Sequence, residues 1–308
     1  MSSARTRISL LLALLFVSSS VISSRRRRTA VDGGRQAANG GMRRLELDGG
    51  LARPRPPRRR SKRRRLGGVL VVLGVLVLAY AATVVLWRDP ATDLYARWKQ
   101  HELSDTLEET FAAYEASVAT SAATAPTVTD VPTERERLES AQLAVARAAN
   151  ELHAELKKGK ALGRIHIPKI GLDAVFVHGT RWGPDLSQGP GHYPQTSLPG
   201  VDRTMAIAGH RTTFGAPFRH IESLKPGHLI ELELPYATFR YRVFRHRIVD
   251  SDDWSIIRDR GFETLVLSAC HPLYSAEQRW IVFARVVSVR PVGGQGYRFT
   301  AAGELASI

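Results

Sequence analysis

One cysteine, Cys270, stands in 308 residues, which excludes an intramolecular disulfide and any zinc site built from cysteines alone. Metal-ligand spacing is missing too. There is no H-E-x-x-H or related cluster, and the acidic run Asp250, Asp252 and Asp253 (DSDD) lacks the spacing and terminal Glu of a calcium loop, so it reads as a solvated turn. No metal and no cofactor are expected. With only 16 Pro and 25 Gly the chain is neither collagen-like nor wholly disordered, and a folded domain is expected within it.

Acidic residues are scarce at one end. Residues 1–65 hold three of them (Asp32, Glu46, Asp48) against 18 Lys+Arg, so the whole formal charge of +15 sits there. Everything after position 65 sums to zero, with 26 basic and 26 acidic residues. A nucleic-acid-binding domain carries its excess on a folded face, so this distribution argues against nucleic acid as a partner.

The last basic run (Arg58 to Arg65) precedes 22 residues without charge, LGGVLVVLGVLVLAYAATVVLW, from Leu66 to Trp87. As a helix they extend about 33 Å, enough to span a bilayer. The basic flank before them and the near-balanced RDPATD after them orient the span with the N-terminus in the cytoplasm and the rest outside the cell membrane. A shorter apolar stretch, Ile8 to Val17, resembles a signal-peptide core, but cleavage behind it would export the arginine-rich segment against that orientation. Met42 offers an economical alternative start, which would make the first 41 residues a gene-model extension.

Beyond the span, residues 91–116 and about 134–158 have helical rhythm around an Ala/Thr/Ser/Pro-rich linker at 117–133, and 88–160 reads as a stalk. From Gly163 the pattern becomes β: RIHIPKIGLDAVFVHG, TMAIAGH, HLIELELPYATFRYRVFRHRIVD, ETLVLSAC and RWIVFARVVSV are β-branched or aromatic runs divided by turn residues. They predict an all-β barrel or sandwich over 161–291, with one short turn at HIESLKPGH and a C-terminal tail at 292–308.

Cys270 ends the run Thr264 to Ala269, so its sulfur is expected at a strand end near the surface. A lone thiol in an oxidising compartment is either buried and inert or present because it reacts. A cysteine nucleophile needs a base or cation nearby. His210 ends another apolar run (TMAIAG) at a glycine, and two residues at the same ends of neighbouring strands can meet. Arg279 opens the strand after Cys270, where a returning loop brings its guanidinium toward the sulfur. His271 is a rival base, but neighbours along a strand point to opposite faces. His178, His192, His220 and His228 read as loop or surface histidines, with His192 a candidate for a pocket wall.

Taken together, IPKIGLDA (167–174), GPGHYPQTSLPG (189–200), AGHRTTFGAPF (208–218), LSACHP and QRWIVFAR (267–285) resemble the sortases, most closely those of class E from high-GC Gram-positive bacteria. The resemblance implies a closed β-barrel and a cysteine transpeptidase, with Cys270, His210 and Arg279 as its catalytic residues. It implies attack by Cys270 on the Thr carbonyl of an LPxTG or LAxTG sorting signal on a secreted protein. Transfer of the resulting thioacyl group to an amine of a lipid II-type peptidoglycan precursor follows. Candidate substrate-binding residues beside these motifs are Ala269, His192, Tyr193 and Arg211. Ala269 departs from the family, which usually has Thr before the cysteine. No second long apolar run follows Arg290, and Asp89-Pro90 is not followed by an aromatic residue, which favours wall anchoring over pilin polymerisation. The alternatives are a pilin-polymerising enzyme, a thiol hydrolase on the same residues, and a catalytically silent binding module.

Overall fold

The computed structural model describes residues 62–86, 89–123, 132–300 and 304–308. The basic tail, the 8–17 stretch, Met42 and Trp87 lie outside them. Helix α1 (Lys62–Leu86) contains Leu66–Thr83, with mean hydropathy 2.3 and no buried residue. Among the described residues it is the one helix long and apolar enough to cross a membrane.

Two helices precede the strands, α2 (Pro90–Ala123) and α3 (Glu134–Glu155). Helix α3 starts at a capping box. The Thr133 hydroxyl accepts from the Glu136 N–H while the Glu136 carboxylate accepts from the Thr133 N–H, so two otherwise orphaned donors are satisfied. Leu138, Val145 and Ala149, seven and four residues apart and so on one face of α3, are buried in the main core.

Helix α2 differs from the expected stalk. It runs to Ala123, into the predicted linker, and lies along the barrel. Leu103 and Leu107 pack on Val175 and Val177. Between them and the helix start, Gln100 completes a strand edge: its Nε2 donates to the Val175 carbonyl (2.9 Å) while its Oε1 accepts from the Val175 N–H (2.8 Å). An amide side chain with one donor and one acceptor thus stands in for a missing strand.

The strands are β1 (Ala161–Ile167), β2 (Leu172–His178), β3 (Gly191–His192), β4 (Thr204–Gly209), β5 (Leu229–Leu234), β6 (Ala237–Asp250), β7 (Thr264–His271), β8 (Gln278–Pro291), β9 (Tyr297–Phe299) and β10 (Leu305–Ser307). Their order is β10-β9-β8-β6-β5-β1-β2-β3-β4-β7, and the further pairing of β7 with β8 closes an eight-stranded barrel with β9 and β10 appended. The barrel is the expected one. The run at 164–179 divides into β1 and β2 where Pro168 and Gly171 (φ 64°) make a left-handed turn. The predicted tail instead supplies β9 and β10, and Tyr297 fills the core. Most pairings are antiparallel, but β4 and β7 run parallel and both are buried along nearly their whole length, matching their continuous apolar sequences.

Candidate active site

In the β4–β7 pair Gly209 stands opposite Ala269, and in the antiparallel β7–β8 pair Cys270 stands opposite Arg279. His210 follows Gly209. The chain therefore sets His210, Cys270 and Arg279 in one row across three adjacent strand ends, spaced about 4.8 Å from strand to strand. Alternation turns Ala269 and Trp280 toward the main core. Cys270 and Arg279 take the other face, where Val266, Ile281 and Phe283 form a second cluster covered by Tyr193 and Ile257.

His210 is only 8 % exposed. Phe214 (5.4 Å between ring centroids) and Trp182 (6.3 Å, edge-on) wall its ring, and its Nε2 is buried without a hydrogen-bond partner among the described residues. Burial alone pulls the imidazole below its ordinary 6.5, because the charged form loses hydration. Gly209 is required beside it: the Phe218 ring occupies the space a Cβ would need.

Arg279 and Cys270 are both half-buried. One side of the Arg279 guanidinium is held by its own loop, Nη1 donating to the carbonyls of Ala276 (2.8 Å) and Gln278 (3.0 Å). Tyr193 connects the row to its roof. Its phenol hydrogen-bonds the Ser268 side chain and is raised above the ordinary tyrosine value by burial, with Cys270 adding to the rise and Arg279 opposing it. Its ring meets Trp254 edge-on at 6.4 Å.

The other candidate binding residues fall elsewhere. Ala269 is 2 % exposed and faces the core. Arg211, also buried, is tied to the cysteine's backbone, Nη1 donating to the Cys270 carbonyl (3.2 Å) and Nη2 pairing with Glu222, while its Nε has no hydrogen-bond partner among the described residues. His178 and His192, expected in loops or at the surface, are buried, because β3 is an interior strand between β2 and β4. His192 has both ring nitrogens engaged, Nδ1 with His178 Nδ1 (3.0 Å) and Nε2 with the Thr196 hydroxyl (3.1 Å). Burial, then the neighbouring His178, pull it down to about 3. The rival base His271 lies against Trp280 and Arg211 on the face opposite Cys270.

The sequence reading missed Trp182, Phe214 and the turn that holds Phe214. Phe214, Gly215 and Ala216 all have left-handed backbones (φ 51°, 75° and 45°), a strained run for the two non-glycine residues. Helix α2 steadies it from outside: the Thr92 hydroxyl accepts from the Phe214 N–H and the Asp93 carboxylate from the Gly215 N–H, each at 3.1 Å. The one signal in the sequence was an apolar Phe inside the polar loop behind His210.

The sortase domain family model matches residues 165–287, which span β1 through most of β8. Sortase D of Bacillus subtilis is 34 % identical over 145 residues, covering 46 % of this chain and 71 % of that protein. The chain belongs to the sortase family. This sortase is 30 % identical over 148 residues to sortase SrtE1 of Streptomyces coelicolor, across 43 % of its own length and 42 % of the relative's. Among solved structures, sortase E1 from Streptomyces coelicolor with a tripeptide in the active site aligns with a TM-score of 0.42 at 26 % identity, covering 44 % of this chain and 93 % of that one. Family membership makes the protein a cysteine transpeptidase, and relatives of both D and E types lie at comparable identity.

Proposed function

We propose that this sortase cleaves an LPxTG- or LAxTG-type sorting signal between Thr and Gly and transfers the acyl part to a peptidoglycan-precursor amine. The row His210–Cys270–Arg279 at one barrel end carries the reading, together with the absence of any second cysteine that could serve as nucleophile. The Cys270 thiolate attacks the Thr carbonyl carbon, and the C–N bond breaks as imidazolium His210 gives its proton to the departing glycine amine. The incoming amine then attacks the thioester, passes a proton to His210, and the Cys270 thiolate leaves. Arg279, with a fork fitted to oxygen atoms, holds the carbonyl oxygen as charge develops on it. Helix α1 anchors the enzyme as a single span, with the N-terminus in the cytoplasm and the barrel outside, where secreted substrates emerge.

The test is to incubate the full chain in detergent micelles with LPxTG and LAxTG peptides plus triglycine, reading products by mass. The full chain is needed because a fragment starting at residue 160 would strip Leu103, Leu107, Leu138 and Val145 from the packed core. Expected are cleavage after Thr, an amine-dependent ligation product, and loss of both in Cys270→Ala. Cleavage that yields only free acid at every triglycine concentration would mark a hydrolase and sink the transferase reading.

A further inference from the structure

The neutral part of the chain is not neutral everywhere. Strands β6, β8 and β9 are adjacent and carry eight arginines against one acid, Asp250. On their outer face, at the end of β8 away from Arg279, lies a cleft of about 590 Å³. Arg240, Arg242, Arg285, Arg290 and Arg298 line it, and no acidic residue does. Arg242 and Arg285 are direct cross-strand partners, a like-charge pairing that destabilises a sheet unless an anion lies between the two. Glu231 takes Arg240 (3.0 Å). No carboxylate among the described residues pairs with Arg242, Arg285, Arg290 or Arg298. The Arg285 guanidinium instead lies over the Phe262 ring at 4.6 Å.

We propose that this cleft binds a linear phosphodiester polyanion. The guanidinium fork matches phosphate oxygens in pairs and is more weakly hydrated than an ammonium, so a site whose charged side chains are all arginine suits phosphate groups. The cleft is elongated: Arg285 and Arg290 are five residues apart on β8, about 17 Å of extended chain, which fits a repeating anion better than a single phosphate. Its position favours a polymer over the lipid surface. Helix α2 begins four residues after α1 ends, and its Val118 packs on Gly293, between Arg290 and Arg298. From Thr92 to Val118 the helix rises about 39 Å, so the cleft is far along the domain from where the chain leaves α1.

The test is arginine footprinting of the full chain in detergent micelles. Phenylglyoxal modification is read at each arginine by peptide mass spectrometry, which separates the cleft from the basic N-terminal tail. The probes are a glycerol-phosphate oligomer, polyglutamate of equal charge, and vesicles of phosphatidylglycerol. The expected result is that the oligomer slows modification of Arg242, Arg285 and Arg290 but not of Arg279. With three phosphates engaged, the apparent affinity should fall on the order of tenfold between 50 and 200 mM salt. In the Arg242→Gln/Arg285→Gln variant, protection of Arg290 should be lost while peptide cleavage is retained. Equal protection by polyglutamate, protection by the vesicles in place of the oligomer, protection spread evenly over all exposed arginines, or no protection at all would each overturn the proposal.

Discussion

At the residue scale, the proposed reaction turns on a buried histidine. The proposed reaction needs the His210 imidazolium, and burial pulls that group below its ordinary value, so its titration should set the acid limb of a bell-shaped rate profile. Phe214 sets part of that burial. Replacing it by alanine admits water, which favours the charged imidazole and raises its pKa toward 6.5. In Phe214→Ala the acid limb of kcat/KM should therefore move to higher pH. An acid limb at the wild-type pH, in a variant that still folds, would detach this limb from His210. Residue identity made Cys270 and His210 legible in the sequence, since each ends an apolar run. The burial of His192 was not legible, because nothing in a histidine's neighbours along the chain tells whether a third strand will cover it.

At the element scale, α2 is the departure from expectation. Its helical rhythm was visible, but the face it buries is narrow, with Ala96, Leu103 and Leu107 as its buried apolar residues. Such a sparse stripe is compatible with a solvated stalk as well as with a docked helix. What docks it is partly polar, through Gln100 on Val175 and Thr92 and Asp93 on the turn behind His210. Gln100 also donates to the Gln188 carbonyl at 2.7 Å. Gln100→Ala leaves these half-buried backbone groups without partners and should cost about 1–3 kcal/mol in urea unfolding. A change within a few tenths of a kcal/mol would mean that water replaces the amide and the contact is incidental. The strands β9 and β10 escaped notice for a related reason: three-residue strands in a Gly-rich segment carry no usable alternation.

At the scale of the whole molecule, two buried groups give stability opposite dependences on pH. Glu263 accepts from the Tyr241 hydroxyl (2.7 Å) and the Gly200 N–H (2.6 Å), and burial raises it to about 7 from 4.5. A raised acid binds its proton more tightly in the folded state, so its contribution is present below 4.5 and is lost as pH rises toward 7. His192, lowered to about 3, does the reverse: the unfolded chain takes the proton first, so stability falls as pH drops below 6.5. Between pH 4.5 and 6.5 the two slopes oppose one another. Glu263→Gln removes the first, and the stability of the variant relative to wild type should rise by about 3 kcal/mol from pH 4.5 to 7 in denaturant titrations. A difference that stays constant across that range would mean that Glu263 does not titrate there.

The sequence by itself determined the apolar span, the β-rich domain behind it, the single thiol and the place of the excess charge, because each is a property of composition or of period along the chain. Only the tertiary structure decided which side chains meet. Strand order, a non-local property, aligned His210, Cys270 and Arg279, buried His192, turned Arg211 inward onto the Cys270 carbonyl, and laid α2 against the turn that walls His210. It also divided a formally neutral domain. Arginines scattered through the last third of the sequence became neighbours on β6, β8 and β9, while α2 carries six acidic residues against two basic ones. A sum over residues is blind to such a field, because electrostatic energy depends on distance in space rather than on position in the chain.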